Sequence, residues 1–264
     1  MSHRLAGKVA LVFGAGSSGE ALSNGRAAAL AFARHGASVA AIDIDLGQAE
    51  RTAKEIVGEG GVAVALRADV TREDEVAAAV ARAAEALGAP SVLHNNVGVA
   101  RTGGILELDR AGWDAALAVN VSGVFLTCKY TVPRMLDAGG GAIVNVSSVA
   151  GIRHLGYDYP AYMAAKAAVN QLTVALALTY AHRGIRVNAV LPGLIDTALV
   201  EQQLVADPAE LAAARAERDA RSPTGRSGTP WDVANAAVFL ASDEAAYING
   251  VCLPVDGGLS ARSA

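Results

Sequence analysis

Apolar and polar positions fall into two alternating patterns along this chain. Short runs rich in Val, Ile, Leu and Ala occupy 9–13, 38–42, 62–66, 91–94, 142–146, 186–191 and 251–255. Most are continuously apolar rather than alternating, the pattern of parallel strands covered on both faces. Between them, Ala-rich segments of helical period predict helices at 24–35, 46–58, 72–87, 109–137, 160–183 and 230–241. That rhythm specifies an α/β fold, a doubly wound seven-stranded parallel sheet with right-handed crossovers and helices on both faces. One segment departs from it. Residues 198–229 are mostly helical in pattern and rich in Ala and charge, a candidate substrate lid or a plain surface excursion. No linker or composition break divides the chain, so 1–264 is expected to form a single domain.

Composition narrows the function classes. At 264 residues and 52% apolar, the chain can bury one good-sized core, which excludes a disordered protein. Its net charge of −4 comes with scattered basic residues, so neither nucleic acid nor an anionic membrane is the expected partner. The first residues carry no signal-peptide pattern, and no uninterrupted apolar stretch is long enough to span a bilayer. A soluble, cytoplasmic protein is expected. Cys128 and Cys252 lie far apart and are read as free buried thiols. The five histidines are dispersed, without paired metal spacing, so no metal site is expected.

Candidate chemistry begins after the first strand. Gly14, Gly16 and Gly19 spell G-x-G-x-x-G, a weak signal made meaningful by the strand before it and the helix after it. Glycines there let backbone N–H groups approach a pyrophosphate at the positive end of a helix. The second strand ends at Asp43, a carboxylate placed to accept hydrogen bonds from an adenosine ribose; the plainer alternative is a strand-end cap. Asp43 follows Gly19 by 24 residues and Gly25 by 18. The usual interval is about 20, which favours Gly25 as the glycine abutting the helix, in a lengthened Rossmann-type turn.

A second signal is Tyr162-Met163-Ala164-Ala165-Lys166. Four-residue spacing on a helix stacks the phenol and the ammonium on one face. A free tyrosine has a pKa of roughly 10 and is a poor base at neutral pH. A lysine cation beside it favours the phenolate, so the pair can exchange a proton with a reacting oxygen. An ordinary helix surface also fits this spacing.

Taken in order, these motifs resemble the short-chain dehydrogenase/reductase family in its compact one-domain branch, over nearly the whole chain from Lys8 to about Leu259. The family's glycine turn is altered, beginning Phe13-Gly14 and ending Ser23-Asn24-Gly25. Asp69-Val70 is similar to its adenine-contacting pair, and Asn95-Asn96-Val97-Gly98 to its Asn-Asn-Ala-Gly turn. Asn120, Ser148, Tyr162 and Lys166 fall at its catalytic positions. Pro192, Gly193, Ile195 and Thr197 look like its nicotinamide-flanking loop, and Val255-Asp256-Gly257-Gly258 like its closing strand. The resemblance implies Tyr162 as acid/base and Ser148 as hydrogen-bond donor to the reacting oxygen. It also implies that Lys166 lowers the tyrosine pKa and binds ribose, and that Asn120 supports a proton relay.

The implied activity is interconversion of a secondary alcohol and a ketone. Asp43 would repel a 2′-phosphate, Ile44 follows it, and residues 14–25 carry no basic side chain, so NAD(H) is expected over NADP(H). The alternatives are a non-catalytic NAD(H)-binding sensor or scaffold, or an epimerase or dehydratase of the same superfamily. The resemblance further implies a homo-oligomer, dimer or tetramer, packed through the helices at 109–137 and 160–183. Tyr157 and Tyr159 are read as pocket wall or core, and His94 as a structural hydrogen-bonding residue. Arg153 and His154 lie on a solvated loop or face an anionic substrate group.

Overall fold

In a computed structural model, which describes residues 3–17, 21–100, 102–197 and 208–262, the apolar runs pair as parallel strands. They are β1 (Val9–Phe13), β2 (Ser38–Asp43), β3 (Val62–Arg67), β4 (Val92–Asn95), β5 (Gly141–Val146), β6 (Ile185–Pro192) and β7 (Cys252–Val255). Their order across the sheet is β3-β2-β1-β4-β5-β6-β7. Leu11 of β1 stands in register between Ala40 of β2 and Leu93 of β4, so the centre of the sheet is apolar on both sides. This is the seven-stranded Rossmann-type domain that the pattern specifies, with each strand within one or two residues of its expected bounds.

The helices are α1 (Asn24–Arg34), α2 (Leu46–Gly58), α3 (Glu73–Leu87), α4 (Arg110–Leu117), α5 (Gly123–Asp137), α6 (Pro160–Tyr180), α7 (Pro208–Arg221) and α8 (Pro230–Ala241). One core joins α1, α2 and α8 to the sheet; the other joins α3, α5 and α6 to its opposite face. On α1, Ala27, Ala28 and Ala29 are fully buried, and their small side chains let the helix lie close to α8 and the sheet. Side-chain caps fix the starts. Asp45 accepts from the Gln48 N–H ahead of α2, and Thr229 and Asp232 form a reciprocal capping box on α8.

Two expectations need correction. The single helix expected at 109–137 is divided by a widened π turn at Ala118–Ser122, because the Asn120 amide donates to the Ala116 carbonyl at 2.9 Å. Such turns recur at functional sites. The span Arg110–Asp137 is, among the described residues, the one helical run long and apolar enough to cross a bilayer; half of its most apolar stretch is buried in this fold. The helix expected at 160–183 stops at Tyr180, and a 3₁₀ turn, Ala181–Arg183, leads into Gly184 at φ +77°. Of the lid expected at 198–229, residues 198–207 lie outside the described ones.

Candidate active site

All the carboxyl ends of the strands face one crevice, and the chain order reverses between β1 and β4, where doubly wound sheets hold ligands. On the α1 side the cavity is lined by Asn24, Asn96 and Gly98; beyond β5 by Ser148, Tyr162 and Lys166; beyond β6 by Pro192, Gly193, Ile195 and Thr197. Sequence positions up to 195 residues apart, Ser23 and Arg218, thus meet in one place.

The turn after β1 is built by close backbone approach. Gly14 adopts φ +81°, and its carbonyl accepts from the Asn96 amide at 3.1 Å. A Cβ on Gly25 would stand 1.9 Å from that same carbonyl oxygen, so only glycine fits where α1 crosses the turn. Ser23 caps α1: its hydroxyl accepts from the Arg26 N–H and donates to the Gly16 carbonyl at 2.6 Å. Asp43 leans into the turn, one carboxylate oxygen accepting from the Gly16 N–H at 2.8 Å and the other from the Asp45 N–H at 3.1 Å. Its carboxylate would collide with any side chain at Gly16. Gly19, the last glycine of the literal motif, lies outside the described residues.

The residues expected to react stand just beyond β5 and on α6. Ser148, at the end of β5, is 9% exposed, and its hydroxyl accepts from the Ala150 N–H. Ser147 is a structural tie instead, donating to the Lys166 carbonyl at 3.0 Å. Lys166 is 2% exposed; its ammonium donates to the Val146 carbonyl at 2.9 Å and lies 5.5 Å from the centre of the Tyr162 ring. A Cβ on Gly98 would stand 3.0 Å from both the Lys166 Nζ and the Asn120 Oδ1, so glycine keeps that corner open. Asn120 is fully buried, its carboxamide exchanging hydrogen bonds with the backbone of Val99.

The electrostatics reverse one expectation. Burial pushes the Tyr162 phenol above its ordinary pKa, and the neighbouring Ser148 hydroxyl offsets only part of that. Burial also takes the neighbouring Lys166 ammonium down to about 8. The reason is placement: the ammonium is turned to the Val146 carbonyl and withdrawn from water.

Other expected residues sit apart from the cavity wall. Asp69 accepts from the Thr71 N–H and hydroxyl, and Val70 packs against Gly123. His94 is fully buried, has no hydrogen-bond partner among the described residues, and meets the Phe32 ring edge-on at 5.5 Å. It is therefore an aromatic packing residue, not the hydrogen-bonding one expected. Arg153 reaches the Ser260 carbonyl at 3.2 Å, and His154 accepts from the Gly156 N–H, so neither faces the cavity. Sequence reading missed Ser23, whose N-cap position before α1 was a usable signal, and Arg218 of α7, which lines the cavity beside Thr197.

Known proteins are similar to this chain in sequence and fold. Residues 19–260 match the family described as enoyl-(acyl carrier protein) reductase. Over 261 residues the chain is 42% identical to 2-(S)-hydroxypropyl-CoM dehydrogenase 3 of Xanthobacter autotrophicus, covering 99% of this chain and 100% of that protein. A crystal structure described as a short-chain dehydrogenase/reductase from Burkholderia xenovorans matches with a TM-score of 0.92 at 43% identity, over 99% of each chain. A gluconate 5-dehydrogenase from Burkholderia cenocepacia J2315, in complex with NADP and tartrate, matches with a TM-score of 0.88 at 32% identity, over 98% of each chain.

Proposed function

The chain belongs to the short-chain dehydrogenase/reductase family of oxidoreductases, and on that footing we propose that it interconverts a secondary alcohol and a ketone by hydride transfer with NAD(H). The observation that carries this reading is the meeting of Ser148, Tyr162 and Lys166 in one cavity that also opens onto the start of α1. The relative from Xanthobacter is named for oxidation of a secondary alcohol, which supports the same substrate class.

The residues fit a nicotinamide dinucleotide. The first N–H groups of α1 have no partner within the helix and suit a pyrophosphate, and Gly14 and Gly25 leave no side chain in the way. The Asn24 side-chain oxygen is buried at the cavity without a partner among the described residues, an acceptor suited to a ligand. Among the described residues each Asp43 oxygen has one donor, and a carboxylate offers about four acceptor positions. Gly14, Asn24 and Gly25 would hold the pyrophosphate, Asp43 the adenosine ribose, and Asp69 and Val70 the adenine. Asn96, Gly98, Tyr162 and Lys166 would hold the nicotinamide ribose, with Pro192, Gly193, Ile195 and Thr197 flanking the ring. Preference for NAD(H) rests on Asp43. Arg67, its register partner on β3, is engaged by Glu75 at 3.0 Å rather than free for a 2′-phosphate.

Held there, a nicotinamide would supply the hydride acceptor for alcohol oxidation and the hydride donor for ketone reduction. Tyr162 takes the hydroxyl proton in oxidation and gives one to the carbonyl oxygen in reduction. Ser148 donates a hydrogen bond to that oxygen as its charge develops. Lys166 holds ribose and supports the tyrosine, and Asn120 supports proton exchange between Lys166 and solvent. Titration of the protein with NADH and NADPH, read by nicotinamide fluorescence, should favour NADH. Tyr162→Phe should still bind NADH, weaker by no more than the one ribose hydrogen bond it gives up (roughly 10-fold or less), and lose roughly 100-fold or more in kcat; turnover at the wild-type rate would remove Tyr162 from the mechanism.

A further inference from the structure

The catalytic and cofactor roles leave one feature of the cavity unused. On α7, Arg215, Arg218 and Arg221 recur every third residue and so lie toward one side of the helix. Arg221 anchors that side. Its guanidinium lies 4.7 Å over the Tyr157 ring and donates to the Leu155 carbonyl. Tyr157 stacks on Tyr159 at 5.8 Å, and Tyr159 meets Tyr162 edge-on at 5.5 Å. An aromatic ladder therefore runs from α7 to the reacting phenol. Arg215 faces Asp196 at 3.7 Å.

One turn before the anchored arginine, Arg218 lines the cavity together with Ser148, Tyr162 and Thr197. Its guanidinium makes a long bond, 3.5 Å to the Ile195 carbonyl, and no carboxylate pairs with it among the described residues. The adjacent Asp219 is turned to the Ser227 N–H at 2.6 Å. A partly buried guanidinium with no carboxylate partner among the described residues, beside an aromatic wall, suits the oxygens of an anion. Arg153 and His154 do not compete for that anion, since both are turned to backbone away from the cavity.

We propose that Arg218 is a specificity-determining residue that binds a carboxylate or sulfonate carried by the substrate, remote from the reacting carbon. The Tyr157–Tyr159 ladder, clamped by Arg221, positions α7 so that Arg218 faces the cavity. This rests on the oxidoreductase reading of the site and names its substrate class.

The test compares two anionic ketones, 4-oxopentanoate and 5-oxohexane-1-sulfonate, with two neutral ones, methyl 4-oxopentanoate and 2-hexanone. Calorimetry on Tyr162→Phe protein saturated with NADH reads their binding without turnover, and the same protein with Arg218→Gln or Arg218→Lys is measured alongside. At least one anion should bind more tightly than its neutral counterpart by roughly 10- to 100-fold, the span of a charge-assisted bond. Arg218→Gln should erase that difference, Arg218→Lys should restore part of it, and the NADH Kd should stay within about threefold, far below one such bond. Equal affinity for anion and neutral ketone, or an anion preference that survives Arg218→Gln, overturns the proposal. Weaker NADH binding in Arg218→Gln assigns the arginine to the cofactor's phosphates instead, which also overturns it. Wild-type reduction of 2-hexanone without anion preference sinks this inference and leaves the oxidoreductase reading intact; failure to bind NADH or NADPH sinks that reading itself.

Discussion

Single residues in this chain behave according to what surrounds them, and their identities alone do not say how. Asp43 was legible as a strand-end carboxylate, but its contact with Gly16 joins residues 27 apart and exists only in the folded turn. Asp43→Ala should weaken NADH binding and narrow the gap to NADPH, as paired fluorescence titrations would show; an unchanged preference would mean that the carboxylate is not the selector. His94 reads as an ordinary polar residue, yet burial takes its imidazole down to about 4. The unfolded chain then binds a proton that the folded one refuses between about pH 6.5 and 4. The stability is fully present above about pH 6.5 and is lost as pH falls toward 4. Urea unfolding should show about 2 kcal/mol less stability at pH 5 than at pH 7 from this residue, and His94→Leu should flatten that slope.

At the scale of elements, apolar period and caps make strands and helices readable, because both arise from neighbours a few residues apart. The strand bounds and the starts of α1, α2 and α8 follow from such local signals. The interruption at Asn120 does not, since it depends on hydrogen bonds to Val99 across the crevice as well as to Ala116. Where elements touch, glycine is decisive. Gly25→Ala must push α1 from the Gly14 carbonyl, costing about 1–3 kcal/mol as an overpacked contact, and NADH titration should show binding strongly weakened. At the opposite end of the chain, Thr229→Ala removes the capping box of α8 and should lower stability by about 1 kcal/mol in urea unfolding.

For the molecule as a whole, the outer surface of α5 and α6 carries an apolar groove lined by residues including Phe125, Leu172, Leu176 and Tyr180, with Phe125 half exposed. Sedimentation velocity is expected to find a homo-oligomer, and Phe125→Glu to shift it toward a monomer; a wild-type monomer would count against packing through these helices. The sequence by itself determined the parallel α/β order, the turn that follows the first strand, and the succession Asn120, Ser148, Tyr162, Lys166. Periodicity carries the order of elements because it reflects contacts along the local chain, whereas Asn120 and Ser148 stood out only through the family resemblance. Tertiary structure alone decided that Arg153 turns away while Arg218 enters the cavity, that His94 has no hydrogen-bond partner among the described residues, and that the Tyr162 phenol is raised rather than lowered. Each of these depends on burial and on partners distant in sequence, and desolvation belongs to a packed environment rather than to a residue type.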